Sequence, residues 1–254
     1  MAETGRDIRL AARSGALAGL TVGRARGFAQ ANLFVMPAEA AGEFVGFCEA
    51  NPQACPLLGV SAPGDPRIPA LGEDLDVRTD LPAYLLHRPG APPERATQLL
   101  DTWRGDSVAV AVGCWFGAEA ALAEAGIRLR HVELGIQGPL LRTGVETVRV
   151  GRFGGPLVVS MRPFAVADVA RVIEITARLR RSHGAPVHVG DPSMLGIADP
   201  EAPDWGEALP PEPGELRVFW GCGLTALSAL LGAGLPEFAS HAPGAMLVTD
   251  LREP

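Results

Sequence analysis

The sequence predicts an α/β protein carrying an inserted α+β segment, and three observations predict it. Strand–turn–helix units stand on either side of the middle of the chain, SVAVAVGCWFGAEAALAEAG at 107–126 and LRVFWGCGLTALSALLGAG at 216–234. Between them short strands follow one another with a single helix, a change of rhythm that separates α+β from α/β organisation. The chain has 254 residues, 47% of them apolar and 20% charged, enough for a large core in one big domain or two small ones.

The elements follow in order. A helix is expected over about 7–18, and ANLFVMP then reads as an extended piece ending at Pro37. Proline is tolerated at a helix start, so AEAAGEFVGFCEAN should be helical, with Phe44, Val45, Phe47 and Cys48 as its apolar stripe. From 52 to 93 proline and glycine recur without periodicity. That predicts a long surface excursion, ordered by its apolar residues, with one short strand at Tyr84–His87. A helix is expected from Pro93 to Trp103, then the strand SVAVAV, the Gly113-Cys114 turn and the helix after it. RHVEL, VETVRV and PLVVSMRP read as strands, and 165–180 as a helix. PVHVGDP, a proline-rich loop to Pro213, strand LRVFW, the Gly221-Cys222-Gly223 turn, helix LTALSALLGAG and strand AMLVTDL complete the chain. The two Gly-Cys units resemble each other enough to suggest a duplicated structure.

Composition excludes several functions. Net charge is −7 with no basic cluster, which argues against nucleic acid as a partner. No run of about 20 apolar residues is uninterrupted, so no membrane span is expected. All 22 basic residues are arginine, which removes Schiff-base chemistry on lysine and the Walker A phosphate loop. The first twenty residues lack a secretory layout, and Cys48, Cys55, Cys114 and Cys222 form no CxxC pair. A reducing cytoplasm is the expected location.

The candidate chemistry gathers at turns. Cys114 and Cys222 each stand at a helix N-terminus, where unpaired N–H groups bind anions and lower a thiol pKa. The thiols are therefore expected as thiolates, or the turns (Gly113, Gly221, Gly223 and Thr225) as a backbone cradle for a carboxylate. The alternative is that both cysteines simply pack under their helices. HGAPVHVGDP brings His183, His188 and Asp191 close in sequence; the spacing is weak for a metal, and His188 or Asp191 is expected to do acid–base work, the alternatives being a metal or simple turn structure. His241 precedes a Pro-Gly turn, and Asp250 ends the last strand, where sheet-end sites gather. With no lysine, Arg142, beside Thr143, and Arg162 must supply any cationic clamp.

Taken together, GFAQANLFVMP, FCEANPQACPLL, DVRTDLPAY, GCWFGAE, PLLRT, VVSMRP, HGAPVHVGDP, VFWGCGLT and SHAPGAMLVTDL resemble the hydro-lyase family that includes D-glutamate cyclase. The runs are collinear with the family's from about Arg13 to Leu251. The resemblance implies a three-layer α/β domain built from both chain ends (1–115 and 185–254) with a smaller α+β domain inserted (116–184). It also implies ring closure of D-glutamate to 5-oxo-D-proline with loss of water and without an organic cofactor. Three places depart from the family pattern. Trp115, Gly117 and Ala118 interrupt a GCSFSFE-like run, Gln137 and Leu141 an NVPMYRT-like run, and Ala245 replaces the second histidine of a THAPGHM-like run. Each departure removes a hydrogen-bonding group, which points to a more apolar substrate or a weakened activity.

The leading expectation is thus a cofactor-independent lyase that removes water from a small carboxylate-bearing metabolite. Arg142, Thr143, Arg162 and the Gly-Cys turns would bind it, and His188, Asp191, His241 and the two cysteines would move protons. A two-cysteine racemase and a non-catalytic binding protein are the alternatives. No cofactor, metal, nucleic acid or membrane is expected, and homo-oligomerisation is left open.

Overall fold

The computed structural model describes residues 3–253 and is mixed α/β. The first half runs α1 (Gly5–Arg13), β1 (Phe28–Pro37), α2 (Ala38–Ala50), β2 (Leu57–Val60), β3 (Tyr84–His87), β4 (Glu94–Ala96), β5 (Ser107–Gly113) and α3 (Phe116–Glu124). Then come α4 (Arg130–Leu134), β6 (Leu140–Glu146), β7 (Pro156–Ala165), α5 (Val166–Arg178), β8 (His188–Val189) and β9 (Glu215–Gly221). The chain closes with α6 (Leu224–Gly232), β10 (Phe238–His241) and β11 (Leu247–Arg252). Among the described residues no helix is long and apolar enough to cross a membrane.

Two sheets result, one of seven strands in the order β2-β5-β1-β10-β3-β4 with β11 also on β1, the other of four in the order β6-β7-β9-β8. Every strand pair is antiparallel. The strand-end crevice of parallel sheets therefore cannot be used to locate a site here. Along β1 and β5 alternate residues face opposite sides, as the pleat requires. Phe34, Met36, Val108, Val110 and Val112 enter one core with α2, while Leu33, Val35, Ala109 and Ala111 enter another. That second core is closed by Ile68, Leu71, Leu75, Val77, Leu81 and Leu99. The expected surface excursion is in fact a packed layer on the first sheet.

The Gly-Cys resemblance extends to whole units. β1 and β7 have ten residues each, α2 and α5 thirteen, β5 and β9 seven, α3 and α6 nine. In the first unit Ala31 pairs with Gly113, and in the second Val159 pairs with Gly221. Cys114 N–H then donates to the Gln30 carbonyl and Cys222 N–H to that of Val158, both at 3.0 Å. The two units exchange their last helices. Trp115, Ala118 and Leu122 at α3 pack with Phe164, Val172 and Trp220 of the second unit. Ala226, Ala229 and Leu230 of α6 pack with Phe34, Phe44 and Phe47 of the first.

Several expected elements differ. The helix expected at 93–103 is instead β4, an edge strand on β3 followed by turns; of residues 94–103 only Leu99 is buried, so a helix there would have no apolar face to bury. RHVEL is α4, ended by Gly135 in the left-handed region (φ 66°), because only His131 is drawn inside. The strand expected at 145–150 lies earlier, at β6, where Leu140–Arg142 pair with Val158–Ser160. β10, four buried residues between β1 and β3, went unread because so short a run has no period. The boundary expected at 184 falls within the span of the four-stranded sheet, in which β9 pairs with β7 and β8 pairs with β9.

Candidate active site

Between the two units, where α3 and α6 begin, lies a cleft of about 120 Å³. Arg162, the seventh residue of β7, projects into it and is 2% exposed. Its Nη1 donates to the Met161 carbonyl (2.7 Å) and its Nη2 to that of Gln137 (2.6 Å), while Nε reaches no partner. No carboxylate lies within salt-bridge distance among the described residues. Burial pushes the guanidinium below its ordinary pKa, yet arginine stays charged at neutral pH. The site therefore holds a buried cation with no carboxylate in direct contact among the described residues.

Three further buried polar atoms in the same cleft have no partner: Trp115 Nε1, Ser160 Oγ and His241 Nδ1. Buried groups of this kind are nearly always satisfied, so four around one space indicate a place for a ligand. Trp115 also carries the Arg162 guanidinium over its ring at 5.1 Å and leans on His131 at 5.7 Å. His131 in turn bonds Glu119 at 2.8 Å, both side chains buried behind Trp115.

Two imidazoles line the cleft. His183 sits in the left-handed region (φ 72°), an uncommon place for a residue with a Cβ. Its Nδ1 is 2.9 Å from the Gln53 carbonyl, which only accepts, so Nδ1 carries the proton and Nε2 the lone pair. Burial pushes both His183 and His241 down to about 4. Both rings are neutral at pH 7.

Cys114 and Cys222 also line the cleft, half-buried and free. The expectation of thiolates is corrected here. Burial pushes Cys114 up to about 12 and Cys222 to about 11, outweighing the Phe116 and Leu224 amides at the starts of α3 and α6. Gly113 and Gly221 do not reach the cleft as anion cradles; each permits a close approach of the other unit. A Cβ on Gly113 would overlap the Arg181 carbonyl, and one on Gly221 would lie 2.8 Å from that of Gln53. Arg181 and Gln53 occupy the same place in the two units, counted from the starts of α5 and α2.

Gly223 lines the cleft against Asn32, whose Nδ2 donates to the Val112 and Gly113 carbonyls (3.2 and 2.9 Å). Thr225 lies outside; its hydroxyl bonds the Val158 backbone and staples α6 to β7. Also outside is His188, whose Nε2 donates to the Asp191 carbonyl (2.7 Å). The Asp191 carboxylate accepts from Ser193 N–H and caps the short turn at 192–195. Arg142 is exposed over Trp205 and near Asp204, and Thr143 bonds the Leu157 carbonyl. Asp250 pairs with Arg9.

Of the expected residues, then, Arg162, His241, Cys114, Cys222 and Gly223 share one cleft. Asn32 and Ser160 were not among the expected residues, and of the two histidines in HGAPVHVGDP the cleft takes His183 and not the expected His188. The signal for the first two was a polar residue inside an apolar strand, ANLFV and VVSMR. No group of three or more potential metal ligands occurs among the described residues.

Residues 108–250 match the family described as D-glutamate cyclase. A Bordetella petrii protein provisionally named a hydro-lyase is 51% identical over 244 residues, covering 96% of this chain and 92% of that one. An Azorhizobium caulinodans protein of the same provisional name is 48% identical over 249 residues, 98% of this chain and 92% of its own. The solved structure of a nitrogen repressor-like protein from Methanococcus jannaschii aligns over 100% of this chain and 99% of that one, at 10% identity and a TM-score of 0.43. That likeness is too weak to argue from.

Proposed function

The chain belongs to the D-glutamate cyclase family, and on that premise we propose that its cleft takes a small carboxylate-bearing metabolite and removes water from it by ring closure. One observation carries the reading: the buried Arg162, with no carboxylate in direct contact among the described residues, shares its cleft with unpartnered Trp115 Nε1 and Ser160 Oγ. A carboxylate supplies what all three lack, since the free Nε of a charged guanidinium and two neutral donors suit its oxygens. It also relieves the cost of a buried lone charge.

The chemistry follows from the rings. In an amino dicarboxylate the ammonium must give up one proton before its nitrogen can attack the side-chain carboxyl, and a second once the C–N bond has formed. Those two protons then leave on one carboxyl oxygen as water. His183 Nε2 and His241, neutral because both are buried, are suited to take protons from nitrogen and return them to oxygen. Arg162 meanwhile anchors the α-carboxylate. A cytoplasmic location is part of this reading, and the four free cysteines suit a reducing compartment.

The test is direct. Purified protein is incubated with both enantiomers of glutamate, and with small amino and hydroxy acids of more apolar side chain, and each is followed by mass spectrometry. The expected result is loss of the mass of one water from at least one of them, abolished in Arg162→Met. Absence of water loss across the set would refute the reading.

A further inference from the structure

The carboxylate clamp leaves two cleft residues without work. Cys114 and Cys222 are the first residues past β5 and β9, at equivalent places in the two matching units, and both line the cleft. The same symmetry relates Asn32 to Ser160, the fifth residues of β1 and β7. We propose that Cys114 and Cys222 form a two-base pair that exchanges the α-proton of a bound α-amino or α-hydroxy acid and so interconverts its enantiomers. This second activity rests on the carboxylate-binding part of the reading above and not on water loss.

Three features carry it. Removing an α-proton leaves a planar carbon with two faces, and inversion needs an acid–base group on each. Two thiols supplied by the two units that wall a single cleft meet that need, because one can accept a proton while the other donates. Second, each sulfur stands at the start of its own nine-residue helix, where the Phe116 and Leu224 amides favour a sulfur anion. Third, the electron pair released from carbon moves onto the carboxylate. There the cleft holds its unsatisfied donors, Arg162 Nε, Ser160 Oγ and Trp115 Nε1, all at least nine-tenths buried.

The step balances without a co-reactant. One sulfur, as thiolate, takes the α-proton: the Cα–H bond breaks, an S–H bond forms, and the pair is held as the enediolate. The other thiol then gives its proton to the opposite face of Cα and becomes the thiolate. Proton exchange with water between turnovers restores the starting arrangement. Arg162 lies close enough to both sulfurs to favour their anions. Desolvation makes each thiolate sparse but strongly basic, which suits a weak carbon acid.

The experiment uses the full chain in D2O with each enantiomer of glutamate, proline, 5-oxoproline and alanine, following the α-proton by NMR and the enantiomers by chiral chromatography. Water loss is scored separately by mass, so either activity can fail alone. The wild type is expected to interconvert at least one pair with deuterium uptake. Cys114→Ala and Cys222→Ala should each abolish interconversion yet still exchange one enantiomer, a different one in each variant, which a merely structural role would not produce. Should the variants not fold, the wild type decides: two bases place deuterium in the product enantiomer while unreacted substrate keeps its proton. Deuterium in both pools from the outset, no α-exchange with any of these acids, or interconversion surviving in the double variant overturns the proposal.

Discussion

Arg162 holds its guanidinium 5.1 Å over the Trp115 ring and reaches no carboxylate. This relation separates function from stability. A buried charge without a counter-ion destabilises the fold, whereas a ligand carboxylate gains from it. Arg162→Met should therefore leave the melting temperature unchanged or raise it, while water-loss activity falls about 100-fold or more. A variant with a lower melting temperature and full activity would assign Arg162 to the scaffold.

The buried imidazoles predict acid sensitivity. His183 and His241 protonate at about 4 in the folded protein, against 6.5 for an ordinary ring. Between those values the unfolded chain binds protons that the native state refuses, so stability is full above about 6.5 and falls as pH drops towards 4. Each ring contributes up to roughly 3 kcal/mol to that loss. Urea midpoints measured from pH 7 to 4.5 should fall steadily, and less steeply in His183→Gln. A flat profile would show that the rings are not buried as described.

Arg9 predicts a stability centre remote from the cleft. Fully buried on α1, it meets Asp74 (2.7 Å), Asp80 (3.5 Å) and Asp250 (2.8 Å), and Asp80 is itself buried. Arg9→Met should cost about 3–5 kcal/mol, because the buried Asp80 then keeps Arg13 as its one cationic partner among the described residues. Adding Asp80→Asn should recover part of it. Urea unfolding of the three proteins checks both statements.

Gly223 predicts a defect confined to the cleft. A Cβ there would overlap the Asn32 side chain, which holds the carbonyls of Val112 and Gly113 just before Cys114. Gly223→Ala should lower turnover by roughly 100-fold through misplacement of the cleft wall. Gly232→Ala, where a Cβ meets nothing within 4 Å, serves as the control and should change neither activity nor fold. Equal turnover in the two variants would free Asn32 of any part in the site.

Strands with a strong pattern were readable in advance. SVAVAV and PLVVSMRP alternate or run apolar for long enough that no other element could bury them. Segments with few apolar residues were not. PERATQLLDTW and RHVEL bury one residue each, so their shape followed from the neighbour they met, β3 for one and Glu119 for the other. Among candidate site residues the same contrast holds. Arg162 stood out as a charge inside a buried strand, but His188 and His183, five residues apart, could not be told apart. Only one of them is wedged against the Gln53 carbonyl of the other unit.

The order of residues alone was enough to establish lineage, mixed architecture, the absence of any lysine chemistry and the kinship of the two Gly-Cys turns. All of these are properties of pattern and composition. Folding added the exchange of α3 and α6 between units, the neutral rings and the raised thiols. These depend on which surfaces exclude water together, and desolvation is set by neighbours far apart along the chain.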